Sequence, residues 1–82
     1  MEKIEEGFDV FLHDGEKAFG AVRQVGPKGA IVVYVENAGD FVVPLGAIRD
    51  VHDEKVILDS SRISTDLRTS IARAHRREDP TV

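Results

Sequence analysis

The stretch HDGEKAFGAV, residues 13–22, decides how the chain is read. Its two glycines fit either a loop that cradles a phosphate or a hairpin that shapes a sheet. A phosphate loop needs glycines that lead into a helix N-terminus, where backbone N–H groups converge on the anion. Here Gly20 runs into Ala21-Val22, which are strand residues. The hairpin reading follows. Asp14-Gly15 makes the turn, because both residues tolerate positive φ. Gly20 then allows a bulge or bend at a barrel corner.

Working outward, the residues before the turn alternate. Phe8, Val10 and Leu12 face one way, and Asp9, Phe11 and His13 the other, as in a strand with one buried face. Ala18 to Val25 resumes as a strand with Phe19 and Val22 as its clearest apolar residues. Gly26-Pro27-Lys28-Gly29 is a second turn. Ala30 to Val35 is apolar on both faces, the pattern of a central or barrel strand. Asn37-Ala38-Gly39-Asp40 is a third turn. Phe41 to Val43 is a short strand, and Pro44 ends its pairing or places it at an edge. Ala47 to Val51 contributes Ile48 and Val51 to the core. His52-Asp53-Glu54 turns the chain into a last strand from Lys55 to Asp59, with Val56 and Leu58 on one side. Five or six short strands at intervals of about 8–12 residues predict a small all-β sandwich or barrel. Closure is favoured because it removes unpaired edges.

After Asp59 the texture changes. Ser64 or Thr65 can cap a helix, Asp66 suits its first turn, and Leu67, Ile71 and Ala74 share a face. Such a helix of about 12 residues is marginal alone and needs Leu67 and Ile71 to dock. The chain thus divides into a barrel domain, residues 1–59, and a basic helix and tail, residues 60–82. Net charge is −4, but it is uneven: residues 1–59 carry six Lys/Arg against twelve Asp/Glu, and residues 60–82 carry five Arg against three acids. The acidic body speaks against nucleic-acid binding over most of the surface. The 82 residues include no cysteine, which removes disulfides, thiolate chemistry and cysteine-bound zinc. No apolar run approaches the ~20 residues of a membrane span. MEKIEEGF does not read as a signal peptide, so a cytoplasmic location is expected.

Taken in order, GFDVFLHDGEKAFGAVRQV, then an apolar strand, then FVVPLGAIRDVHDEKVILD resembles the PRC-barrel superfamily. The matching residues are Asp14, Gly15, Glu16, Gly20 and Val22, then Pro44, Leu45 and Ile48, then Val56 and Leu58, within residues 4–59. The resemblance implies an antiparallel PRC-barrel-like β-barrel of five or six strands, here followed by a C-terminal α-helix. That family occurs in the cytoplasmic part of the photosynthetic reaction-centre H subunit, in a ribosome-maturation factor and in small stand-alone bacterial and archaeal proteins. It implies a binding or adaptor module, with no shared catalytic residues to carry over.

The residues themselves offer little chemistry. His13-Asp14 and His52-Asp53 repeat a dipeptide that could bind a metal if the two turns met, but turns collect polar residues anyway, and no metal is expected. Glu5, Glu6, Asp9, Asp50, Asp53 and Glu54 sit at turn or alternating surface positions, whereas a catalytic carboxylate needs burial. Ser60-Ser61 with His75 lacks a nucleophile elbow. Neither a cofactor nor an enzymatic activity is expected. Arg68, Arg73, Arg76 and Arg77, with Arg62 and His75, form the basic segment. It docks on its own acidic barrel or frays as a solvated tail, or else meets RNA phosphates, an anionic membrane or an acidic partner. Without large aromatics, membrane insertion is the weakest of these. The expectation is a non-enzymatic interaction module, binding another protein through these arginines and an exposed barrel face near Phe11 and Tyr34. The alternative is an RNA- or ribosome-associated factor binding through the same arginines. A homodimer would cover apolar surface that a short barrel leaves open.

Overall fold

Six strands and one helix follow in chain order: β1 (Asp9–Phe11), β2 (Gly20–Val25), β3 (Ala30–Val35), β4 (Gly39–Pro44), β5 (Ile48–His52), β6 (Lys55–Leu58) and α1 (Thr65–Glu78). The computed structural model describes residues 3–13, 15–26 and 29–78, with side chains to residue 74. The strands form one sheet in the order β4-β3-β2-β1-β6-β5. β1 to β4 are an antiparallel meander, and β5 and β6 an antiparallel hairpin.

β1 and β6 join the two halves in parallel, with Val10 beside Val56 and Phe11 beside Ile57. This corrects the expectation of a wholly antiparallel barrel. β4 and β5 run in the same sense and are joined by a single 3₁₀ turn, Leu45–Ala47, so the returning hairpin reaches the far side of β1 in a parallel sense. The same link explains the curl of the sheet. Outer strands of a flat six-stranded sheet would lie roughly 24 Å apart, at about 4.8 Å per step. Pro44 and Ile48 are separated by only three residues, a reach of about 14 Å. The sheet therefore bends into a half-barrel, and β4 passes end to end into β5. Among the described residues no ladder closes it, and β4 and β5 are its two edges.

The concave side holds the core. Val10, Phe19, Val22, Ile31, Val33, Val35, Val43, Ala47, Ile48, Val51, Val56 and Leu58 are buried together, with Ile63, Leu67 and Ile71. The neighbouring strands β6 and β1 are buried on both faces, through Val56, Ile57 and Leu58 and through Val10 and Phe11. The apolar run of β3 predicts the same for that strand, but its burial alternates: Ile31, Val33 and Val35 point in, while Tyr34 is exposed. One layer of helix covers the concave side only, which leaves the convex face of β3 to solvent.

Two turns carry the conformational signals. Gly15 has φ +90, and Glu16 N–H donates to the His13 carbonyl at 3.3 Å. Asp14, its partner in the predicted turn, lies outside the described residues, and the connection from β1 to β2 spans residues 12–19 rather than a tight two-residue hairpin. The β5–β6 turn is tight, and both central residues, Asp53 (φ 51) and Glu54 (φ 62), are left-handed. That is the pattern of a type I′ turn, which favours glycine at its second central position. A left-handed non-glycine residue costs about 1 kcal/mol. Glu54→Gly is therefore expected to raise stability by about 0.5–1 kcal/mol, read as a Tm about 3–6 °C higher in thermal unfolding. An unchanged or lower Tm would remove the argument.

The helix begins where the sequence predicts. Ser64 Oγ accepts from Leu67 N–H at 3.2 Å, and the Ser64 carbonyl accepts from Arg68 N–H at 3.0 Å. Ser64 is thus the N-cap. Leu67 and Ile71 are each 2% exposed, and Ala74 packs against the same cluster. Burying two such side chains is worth about 3–6 kcal/mol, enough to hold a helix that would be marginal on its own.

Candidate functional site

The helix leaves its basic side outward, and its arginines divide into two kinds. Arg68 Nη2 donates to the Ser60 carbonyl at 2.7 Å. Arg62 Nη1 donates to the Gly46 carbonyl at 3.4 Å, and its Nε lies 3.7 Å from Asp59 Oδ2. These two clamp the segment between β6 and α1 onto the barrel. Asp59 is fixed in turn: its Oδ1 accepts from Ser61 N–H at 2.9 Å and from Ser61 Oγ at 2.6 Å, which lowers its carboxyl below the usual value. The Ser61 hydroxyl is thereby engaged with a carboxylate. Arg73 is different. It is exposed and lines a depression of about 300 Å³ with Glu36, Asn37, Ala38, Ser70 and Ala74. The Arg76 and Arg77 side chains, and that of His75, lie outside the described residues.

On the convex face, Tyr34 is 40% exposed, with the Arg23 guanidinium 5.8 Å from its ring centroid. Arg23 also reaches Asp40 at 3.5 Å across β2, β3 and β4. Tyr34 lines a second depression of about 380 Å³ with Asp9, Ala18, Phe19, Gly20, Ala21 and Glu36. Glu36 belongs to both depressions. It follows directly after β3, so one residue at the end of that strand lines both the depression that holds Tyr34 and the one that holds Arg73. Sequence reading names Tyr34 and Arg73 but has no signal for this shared residue, which depends on where α1 crosses β3.

Phe11 does not share this surface. It is 8% exposed, beside Ile57 in the β1–β6 register, with Lys55 Nζ 5.6 Å from its ring centroid. Alternation correctly puts it opposite Val10, but on this part of the sheet both faces are covered. Phe11 therefore offers no aromatic face to a partner.

A third depression of about 360 Å³ is lined by His13, Arg49, Asp50, His52 and Ile57. His13 and His52 both line it, but the two histidine turns do not meet: Asp9 N–H donates to the Glu54 carbonyl, which sets the β5–β6 turn at the start of β1, whereas His13 follows the end of that strand. Within the depression Asp50 Oδ2 lies 2.8 Å from His52 Nδ1, and Asp50 Oδ1 accepts from Val51 N–H at 2.8 Å. The repeated dipeptide pairs His52 with Asp53 in the sequence. Residues two apart on a strand share a face, so the D-V-H spacing is the available signal for Asp50. Among the described residues, no group of three or more His, Asp or Glu is placed to hold a metal.

The His52 contact, then the Val51 N–H, hold the Asp50 carboxyl below its ordinary 3.8. A folded-state value below the unfolded one favours folding above pH 3.8, and this contribution is lost as pH falls through the lowered value. His52→Ala is expected to move the Asp50 titration back up toward 3.8, followed by carboxyl NMR. An unmoved titration would show that His52 is not the cause.

Comparison with known proteins finds no match. No family model, no curated protein and no solved structure matches the chain. No helix among the described residues is long and apolar enough to cross a membrane.

Proposed function

We propose that the chain is a non-enzymatic, PRC-barrel-type interaction module that binds a protein partner through the surface around Tyr34, Glu36 and Arg73. The carrying observation is that Glu36 lines two depressions, one with an exposed aromatic residue and the other with an exposed arginine. Tyr and Arg are the residue types that anchor protein interfaces, since each combines a large contact area with directed polar contacts. The buried set supports a binding role over a catalytic one: among the described residues it is wholly apolar, and the carboxyls with a resolved shift, Asp50 and Asp59, are lowered rather than raised. A general acid or base near neutral pH needs the opposite shift. Contact with RNA phosphates is less favoured, because Arg62 and Arg68 already serve backbone carbonyls.

The test is cross-linked capture from native lysate with wild type, Tyr34→Ala, Arg73→Glu and Arg49→Ala, an exposed substitution on β5 at the other edge of the sheet. One partner should be held by wild type and Arg49→Ala and weakened about 10-fold or more by each of the other two. Equal capture by all four would sink the reading. So would a strongly salt-dependent RNA affinity that survives Tyr34→Ala, which would instead mark an RNA- or ribosome-associated factor.

A further inference from the structure

The two edges of the half-barrel differ in how far they are closed to another strand. An edge exposes backbone N–H and C=O groups that can template pairing, and proteins blunt such edges with bulges, charges and proline. β5 is blunted. Its pairing with β6 is broken by a register shift between Ile48 and Asp50, and it carries Arg49, Asp50 and His52. Its Val51 N–H is already capped by Asp50 Oδ1 at 2.8 Å.

β4 has no register shift, and its one charged residue, Asp40, is matched by Arg23. Its ladder with β3 is unbroken from Gly39 to Pro44. Just beyond it, Leu45 N–H donates to the Gly29 carbonyl at 2.9 Å in the same register. Antiparallel pairs alternate between bonded and non-bonded. Gly39, Phe41 and Val43 therefore bond to β3, while Asp40, Val42 and Pro44 turn their backbone groups outward. The neighbouring ladder agrees: Gly26 N–H donates to the Ala30 carbonyl, so the even-numbered residues of β3 face β2 and the odd ones face β4. Pro44 stands where its missing N–H removes nothing from the sheet. Among the described residues, no hydrogen bond outside the ladder reaches the Asp40 or Val42 backbone.

We infer that β4 pairs edge to edge with β4 of a second copy of this chain, antiparallel, with the two Val42 residues opposite each other. That register satisfies every outward donor. The two Val42 residues exchange both their bonds, and each Asp40 N–H meets the Pro44 carbonyl of the other copy. Pro44 is then opposite Asp40, where its lack of a donor leaves only one carbonyl unpaired. The side chains agree. Val42 is 73% exposed, the most exposed large apolar residue described, and is paired with half-buried Val32. The four exposed large apolar residues, Val25, Tyr34, Val42 and Leu45, all lie on β2, β3, β4 or the turn after β4. Charge does not oppose the contact despite the net −4: the one ionised residue on β4, Asp40, is matched by Arg23 at 3.5 Å. This edge adjoins Tyr34, which pairs with Asp40, but the inference rests on the backbone register of β4 and does not depend on the adaptor reading.

The experiment is sedimentation of the full chain from about 10 µM to about 1 mM, a range suited to a small, reversible interface, with amide exchange measured in parallel. The weight-average mass should rise from one copy toward two. The Asp40 and Val42 amides should exchange more slowly as concentration rises. Val42→Lys, which places two ammonium groups together at the centre, should raise the dissociation constant at least about 10-fold while leaving the fold intact, since position 42 is exposed. A monomer throughout the range overturns the inference, as does a dimer that Val42→Lys does not weaken. Capture of a foreign strand by a monomeric chain would assign the edge to another occupant and overturn it equally.

Discussion

Gly20→Ala is expected to lower stability by about 3 kcal/mol or more, a large share of the roughly 4–12 kcal/mol available to a chain of this size. A Cβ built at Gly20 would lie 2.1 Å from the Tyr34 carbonyl oxygen and 3.1 Å from its carbon. Both are backbone atoms of a strand paired on its other side with β4, so neither can swing away. Gly20 itself is held on two sides, beside Val10 of β1 and Val35 of β3. Relief would require β2 to move off β3 and would disturb the buried Val22, Val33 and Val35. Urea unfolding measures the loss as a lower midpoint. Gly46→Ala is the control: nothing lies within 4 Å of a Cβ there, and it should change stability by less than about 1 kcal/mol. A Gly20→Ala chain as stable as wild type would show that the approach of β2 to β3 is not as tight as described.

Leu67→Asp should have an effect of similar size. Leu67 is 2% exposed in a cluster with Ile63 and Ile71, and the substitution removes apolar burial and drives a carboxylate into its place. Losing the side chain alone costs about 2–5 kcal/mol. Burying an unpaired charge adds to that until the helix undocks. Once undocked, a 14-residue helix has little stability of its own, so helical far-UV circular dichroism should fall along with the urea midpoint. Ala72→Gln, on the exposed side of the same helix, should shift neither by more than about 0.5 kcal/mol. If Leu67→Asp kept both signals, the docking of α1 would contribute nothing to the fold.

These two positions also mark what is legible in the sequence. Leu67 and Ile71 define the docking face by helical spacing alone. The alternation of β1 and the run Ala30–Val35 locate strands, because side-chain period reports burial on one face. Pro44 announces an edge, for a proline cannot donate to a central ladder. Gly20 stands out in the sequence as a bulge or bend, but its role is another one. The bulge in β2 falls between Val22 and Gln24, and Gly20 instead serves the close approach of the Tyr34 backbone. Strand alternation carries no information about which strand is the next neighbour, so the parallel β1–β6 contact is not legible either. The same gap hides the burial of Phe11 and the place of Glu36 in the depressions of both Tyr34 and Arg73, since both are set by tertiary neighbours.

That parallel contact also bears on how the chain reaches its native state. Asp9 and Lys55 pair across nearly the whole barrel sequence, so β1 and β6 meet only after the intervening strands have been gathered. Forming such a contact costs loop-closure entropy before any burial offsets it. The β1–β4 meander and the β5–β6 hairpin can each form from near neighbours, and their joining is the slow, non-local step. A nascent chain must therefore emerge beyond Leu58 before its first strand gains its second neighbour. Until then the edge of β1 stays open.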